Sequence, residues 1–173
     1  VYNQFTGVKR ATGAERGNII ITRLSDGWVW AIPLDDERTS IGVVSTRKKE
    51  EWKETGFNPQ AFFDQEIQRG SFLQDLMQDA SANGEYRVTA DYTYSFNQYA
   101  GRRHVLLGDA ASFIDPIFSS GVYLAMRSAT LATDMVLNSH QQQRCLTERD
   151  IASYTQELKK NVRLMRDLIE VYY

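Results

Sequence analysis

The feature that most constrains this chain is the joint from Gly108 to Ala125, GDAASFIDPIFSSGVYLA. The apolar run His104-Val105-Leu106-Leu107 leads into it, and a helical pattern from Ser120 to Asn138 leads out. The run is short, β-rich and closed by glycine, so it reads as a buried strand. Gly108 has no Cβ, so a ligand or a second backbone can approach it closely. Asp109 falls just past the strand end, where α/β folds place ligand-binding groups, and its carboxylate can accept hydrogen bonds from ligand hydroxyls. Pro116 fixes the chain ahead of the helix. The helix starts near Ser119-Ser120-Gly121, and its first backbone N–H groups have no intrahelical partner. Their partial positive charge suits an anion. One strand, one carboxylate and one helix start therefore describe a site for a hydroxylated, anionic ligand. The competing reading is a plain strand–turn–helix connection, with Asp109 as a cap and Gly121 as a packing glycine.

Upstream of the joint the chain alternates between strand and turn signals. Val1 to Val8 reads as a strand, and Thr12, Gly13 and Gly17 mark turns. Asn18–Leu24, Trp28–Leu34 and Thr39–Ser45 are separated by Ser25-Asp26-Gly27 and by Asp35-Asp36-Glu37-Arg38, the pattern of an antiparallel meander. Its middle strand, Trp28-Val29-Trp30-Ala31-Ile32-Pro33, puts Trp28, Trp30 and Ile32 on one face. Two neighbouring indoles make a flat apolar wall there, either lining a site or filling a sheet–helix core.

The middle is helical. Residues 47–55 are charged and read as a short solvated helix. Asn58-Pro59 is a helix start, with Phe62, Phe63, Glu66 and Ile67 on one face. A second short helix after Gly70-Ser71 buries Phe72, Leu73, Leu76 and Met77. Tyr86 to Phe96 returns to strand character, with Val88, Ala90, Tyr92, Tyr94 and Phe96 on one face, as a packed sheet or a pocket lining. Gly101-Arg102-Arg103 is a basic turn. Past the joint, Ala125, Ala129 and Ala132 give the long helix a small-residue side. Ser139–Arg144 reads as a loop, and Thr147 with Asp150 resembles a capping box. An amphipathic helix then runs to about Tyr172, with Ile151, Tyr154, Leu158, Val162, Met165, Leu168, Ile169 and Tyr172 as its stripe and Lys159, Lys160, Arg163 and Arg166 solvated.

Composition narrows the classes of function. With 173 residues, 20 Lys plus Arg against 22 Asp plus Glu and a net charge of −2, the chain has no electrostatic footprint for nucleic acid or an anionic membrane. No apolar run is long enough to span a bilayer. The single Cys145 forms no internal disulfide, no Cys/His cluster suggests zinc, and a reducing cytoplasm is the expected compartment. The chain starts at Val1 inside strand character and lacks G-x-G-x-x-G, which points to a fragment of a longer protein.

GDAASFIDPIFSSGV resembles the second FAD-binding motif of flavin-dependent halogenases and, more distantly, that of aromatic hydroxylases and related flavoprotein monooxygenases. Trp28-Val29-Trp30-Ala31-Ile32-Pro33 matches the W-x-W-x-I-P signature associated with the same halogenases, and the two motifs stand in the family's order. The resemblance spans roughly residues 1–138. It implies an α/β (or α+β) fold: a β-sheet layer with covering helices and the C-terminal part of an FAD-binding, aromatic-hydroxylase-like core. The implied division is a substrate-side sheet with helical cover over 1–100, flavin-domain residues over 101–138 and a C-terminal amphipathic helix over 139–173.

The resemblance also implies a chemistry, in which reduced FAD, oxygen and a halide (chloride or bromide) yield hypohalous acid for an electron-rich ring. Asp109, with Gly108, would hold the ribityl–pyrophosphate region, and Pro116, Ser120, Gly121 and Val122 would face the flavin. Ser120 and Gly121 match the halide site. Trp28 and Trp30 match the indoles that keep substrate from the flavin, and Phe118 would join them in lining the active site. Tryptophan halogenases carry Glu where this chain has Phe118, so the departure points to the branch acting on phenols or pyrroles, often on a carrier protein, with a flavin reductase supplying reduced FAD. The family's catalytic Lys lies outside this chain, which would leave the fragment alone without turnover. The alternatives are a flavoprotein monooxygenase, hydroxylase or reductase of the same fold, or a non-catalytic remnant domain.

Overall fold

The computed structural model describes residues 1–46, 56–90 and 93–173. It contains two compact units, Val1–Ala90 and Asp91–Tyr173.

The first unit is a five-stranded sheet in the order β2-β3-β4-β1-β5, with β1 at Tyr2–Thr6, β2 at Ile20–Leu24, β3 at Gly27–Pro33, β4 at Arg38–Ser45 and β5 at Ser81–Ala82. The expected meander β2-β3-β4 is present, and β1 returns to pair antiparallel with β4. Alternation decides what each face carries. Phe5, Val29, Ala31, Ile41 and Val43 point into one core. Helix α1 (Pro59–Ile67) adds Phe63 and Ile67 to it, and helix α2 (Ser71–Met77) adds Leu73 and Leu76. Phe5 stacks on Phe63 with centroids 5.2 Å apart. The Asn58 carboxamide accepts from the Ala61 N–H at 3.1 Å with Pro59 in the first turn, as the sequence signal demands. Glu66 is buried on α1, and its charge is compensated by Arg69, which also pairs with Asp26 in the β2–β3 turn at 2.5 Å. Those two carboxylates raise the Arg69 pKa, Glu66 the more strongly.

The second unit is mainly two helices, α3 (Gly121–Gln141) and α4 (Glu148–Tyr172). They enclose a core of Tyr99, Ala100, Ala111, Ala132, Ile151, Tyr154 and Leu158. Its strands are two-residue ribbons: β6 (Tyr94–Ser95) pairs with β9 (Ser112–Phe113), and β7 (Ala100–Gly101) with β8 (His104–Val105). The capping box is formed, with the Thr147 hydroxyl accepting from the Asp150 N–H and the Asp150 carboxylate accepting from the Thr147 N–H at 2.8 Å. Arg144 and the Thr147 donors hold the Asp150 carboxyl far below the usual carboxylate range. The buried Tyr154 hydroxyl donates to the Leu106 carbonyl at 2.7 Å, and burial, helped by Tyr99, pushes its pKa up to about 12.

Every strand pair among the described residues is antiparallel, so the fold is of the α+β kind within the expected class. Several local expectations are corrected. His104–Leu107 is not a buried strand. It pairs only over His104–Val105, and Leu107 is extended and 41% exposed, because only the two-residue β7 lies beside it among the described residues. Tyr86–Phe96 is not a continuous strand either. Arg87 makes a single bridge to Tyr2, pairing resumes at Tyr94, and Val88, Tyr94 and Phe96 are exposed rather than packed in a face. Helix α3 continues through Ser139 to Gln141, where a loop was expected, and the Ser139 hydroxyl donates to the Arg144 carbonyl to close the turn. Phe72 and Leu168 sit on the solvent sides of their helices. The helix expected over 47–55 and Tyr92 lie outside the described residues.

Candidate functional site

The GDA segment is a single 3-10 turn, Gly108–Ala110, and it leans directly on α3. Gly108 adopts φ +49°, a left-handed conformation open mainly to glycine. The close approach that its missing Cβ permits is made by the protein itself. A Cβ at Gly108 would stand 2.9 Å from the Ala125 Cβ on the second turn of α3. The Gly108 N–H donates to the buried Ser128 hydroxyl at 2.9 Å, and that hydroxyl donates to the Ala125 carbonyl at 2.8 Å. Ala125, in the small-residue side expected of α3, is thus the surface on which the turn rests.

Asp109 follows on the exposed side of the turn. Its carbonyl accepts from the Tyr94 hydroxyl at 2.6 Å. Its carboxylate lies beside the start of α3, with Oδ1 4.0 Å from where a Gly121 Cβ would be. Asp109 is therefore not a helix cap. The N-cap is Ser120, whose side chain makes no capping bond. Nor is Gly121 a packing glycine: it is exposed, and the space its Cβ would fill is bounded only by that carboxylate oxygen.

Between these two pieces the chain turns sharply. The Asp115 carboxylate accepts from the Ile117 N–H at 3.0 Å and opens a 3-10 turn, Pro116–Phe118, with Pro116 in its first position. Ser119 then takes φ +51°, a left-handed conformation uncommon outside glycine and concentrated at functional sites. That twist starts α3 with Gly121 and Val122 facing outward, Val122 at 73% exposure. The first bond of α3 runs from the Leu124 N–H to the Ser120 carbonyl, so the N–H groups of Ser120, Gly121, Val122 and Tyr123 have no helical acceptor. Phe118 is exposed, with its ring edge-to-face on Tyr172 near the end of α4, centroids 5.8 Å apart. Gly108, Asp109, Pro116, Phe118, Ser120, Gly121 and Val122 are thus gathered within the second unit around one helix start.

Trp28 and Trp30 belong to the first unit. They share the sheet face opposite the Phe5–Phe63 core, with centroids 5.7 Å apart, so they do not fill that core. Trp28 is buried. Trp30 lies across Gly42 on β4, where any Cβ would overlap its six-membered ring, and its indole N–H donates to the Ser40 hydroxyl at 3.1 Å. Gly42 is therefore part of the indole wall, which an isolated Gly inside a strand pattern could have signalled. Ser128 and Tyr94 were not singled out as site residues. A lone Ser inside a helical pattern carries no spacing signal, and the strand pattern of Tyr94 fits a packed sheet face as well as a pocket lining. Two of the cations on α4 have partners: Lys159 donates to the Asn97 carbonyl and Lys160 to Glu157. Among the described residues no group of three His, Cys, Asp or Glu could hold a metal, and no helix is long and apolar enough to cross a membrane.

The fold of the chain is that of the FAD-dependent halogenases. The structure of the myxobacterial chondrochloren halogenase CndH superposes with a TM-score of 0.81 at 30% identity, covering 97% of this chain and 39% of that one. That of the flavin-dependent halogenase CmlS superposes at 0.76, also at 30% identity, covering 92% and 28%. The family model described as tryptophan halogenase matches residues 20–173, and the chain belongs to that family. Flavin-dependent halogenase ptaM of Pestalotiopsis fici is 36% identical over 139 residues, 76% of this chain and 26% of the relative. A chlorinase of 1H-pyrrole-2-carbonyl on a peptidyl-carrier protein, from Pseudomonas fluorescens, is 29% identical over 150 residues, 87% of this chain and 33% of the relative. A tryptophan 2-halogenase of Chondromyces crocatus is 34% identical over 121 residues. The chain thus spans a quarter to a third of the first two of these relatives.

Proposed function

We propose that this chain carries the halide-binding and flavin-facing part of an FAD-dependent halogenase acting on an electron-rich aromatic ring. The observation that carries the reading is the pairing of an exposed carboxylate, Asp109, with an open helix start at Ser120–Val122. The donor set fits both ligands. A carboxylate accepts from ribityl or ribose hydroxyls, and the N–H groups of the first turn, which lack helical acceptors, suit a weakly hydrated halide or an anionic flavin edge. Bound there, reduced FAD would give oxygen two electrons and the halide would give it two more, leaving hypohalous acid and water. On this reading Asp109 and Gly108 hold the flavin's chain, and Pro116, with the Phe118–Ser119 turn, sets the direction of α3. Ser120 and Gly121 orient the halide by their N–H groups, and Val122 borders the flavin.

By the motif resemblance, Trp28 and Trp30 match the indoles that keep organic substrate from the flavin in the family, which would favour halide over direct hydroxylation, and Phe118 matches a lining position. Phe118 in place of the Glu of tryptophan halogenases, together with the carrier-protein pyrrole chlorinase among the relatives, supports a phenol or pyrrole substrate, tethered or free. A flavin reductase would supply reduced FAD. The test is FAD titration by fluorescence on this chain and on an N-terminally extended form carrying a Gly-rich loop, followed by halogenation assays on phenols and pyrroles. Binding and chlorination by the extended form alone are expected. Turnover by the 173-residue chain alone would overturn the assignment of catalysis to the longer protein. Failure of the extended form to bind FAD would overturn the flavin reading and leave a non-catalytic remnant.

A further inference from the structure

Ser128 lies two turns into α3, fully buried, on the helix face it shares with Gly121 and Ala125. Its hydroxyl has two engagements. It accepts the Gly108 N–H at 2.9 Å and donates to the Ala125 carbonyl at 2.8 Å. Gly108 rests against Ala125 so closely that a Cβ would reach 2.9 Å from the Ala125 Cβ. These contacts tie the turn that carries Asp109 to the helix that begins at Gly121. Among the described residues no side-chain hydrogen bond joins Asp109 to Gly121, so the place of the carboxylate, 4.0 Å from where a Gly121 Cβ would be, follows from how the turn sits on the helix. We infer that Ser128 is the positioning residue of this site: its hydroxyl fixes the register between the GDA turn and α3, and so holds the Asp109 carboxylate beside the free N–H groups of Ser120 and Gly121.

The inference rests on the functional reading above for its consequence, but its geometry can be tested without a flavin. The test compares amide resonances of the wild-type chain with Ser128→Ala and Ser128→Cys. Cysteine nearly keeps the volume of serine but is a weak acceptor. In both variants the resonances of Asp109 and Gly121 should move together, and exchange of the Gly108 amide should quicken about tenfold or more as its acceptor is lost. A wild-type spectrum in Ser128→Cys would mean that only volume matters there and would overturn the inference. So would shifts confined to Gly108 and residues 125–131. Should Ser128→Ala fail to fold, Ser128→Cys decides.

In the FAD-binding form of the protein, Ser128→Ala should raise the FAD dissociation constant about tenfold, and it should add little to Asp109→Asn, because the two act through one carboxylate. Additive effects of the two substitutions would overturn the inference. A wild type that binds no FAD overturns the functional reading instead, and the amide resonances still decide the role of Ser128.

Discussion

Gly108→Ala isolates the contact on which the site is built. The substitution meets two costs. Ala at φ +49° pays the left-handed penalty of an L-residue, about 1–2 kcal/mol. Its Cβ also meets the Ala125 Cβ at 2.9 Å, well inside van der Waals contact, and both atoms belong to a turn and a helix rather than to flexible side-chain ends. Overpacking of that kind costs about 1–3 kcal/mol. The sum is about 3 kcal/mol, a large share of the 5–15 kcal/mol that holds a domain folded. For a chain of this size it corresponds to a fall of about 6–12 °C in melting temperature. Thermal unfolding followed by far-ultraviolet circular dichroism measures it directly. Gly121→Ala is the matched control, since that Cβ points into open space and the residue has no positive φ. It should leave the melting temperature within about a degree or raise it slightly, Ala being the better helix former. A Gly108→Ala protein that melts with the wild type would refute the argument that the turn is clamped onto α3.

Gly42→Ala should destabilise the first unit by about 1–3 kcal/mol and shift the tryptophan emission, because the new methyl overlaps the Trp30 ring; unchanged fluorescence would contradict the packing of Trp30 on β4. Thr147→Ala removes the capping box of α4 and should cost about 1 kcal/mol in urea unfolding. Leu158→Ala, at a fully buried position between α3 and α4, should cost about 2–5 kcal/mol by the same measurement.

How much of this was legible depends on whether the signal is local. Asn58-Pro59 and Thr147/Asp150 announce helix starts by chemistry within four residues, and both starts are where those residues stand. The alternation Trp28-Trp30-Ile32 needs only a period of two, and the sheet keeps all three on one face. The segments that misled are those whose state depends on a partner. His104–Leu107 and Tyr86–Phe96 carry strand composition, yet no ladder in either is longer than two residues, because long ladders need neighbours of matching length. Within the site, Gly108, Asp109 and Gly121 could be picked out from their order in the chain. The residue that joins them could not: Ser128 is twenty positions from Gly108, and only the fold puts its hydroxyl against that amide.

Tyr154 gives the second unit a pH dependence whose sign can be worked out. Its hydroxyl is buried and donates to the Leu106 carbonyl, two residues before Gly108, and its pKa stands at about 12 against an ordinary value of 10.0. Below pH 10 the phenol is protonated in both folded and unfolded chains, and its contribution to stability is complete. Between pH 10 and 12 the unfolded chain loses the proton while the folded one keeps it. The unfolded state then binds fewer protons, and stability falls as pH rises. The rise from 10.0 to about 12 sets a ceiling of about 2–3 kcal/mol on that loss. Tyr154→Phe abolishes the titration but leaves the Leu106 carbonyl without its donor, at a cost of about 1–3 kcal/mol at neutral pH. The variant should therefore be less stable than the wild type at pH 8, and the gap should close as both are unfolded in urea at pH 9, 10 and 11. A gap that stays constant across that range would mean that the phenol ionises as easily in the folded protein as in the unfolded chain, and that the turn leading into Gly108 is not anchored through this buried hydroxyl.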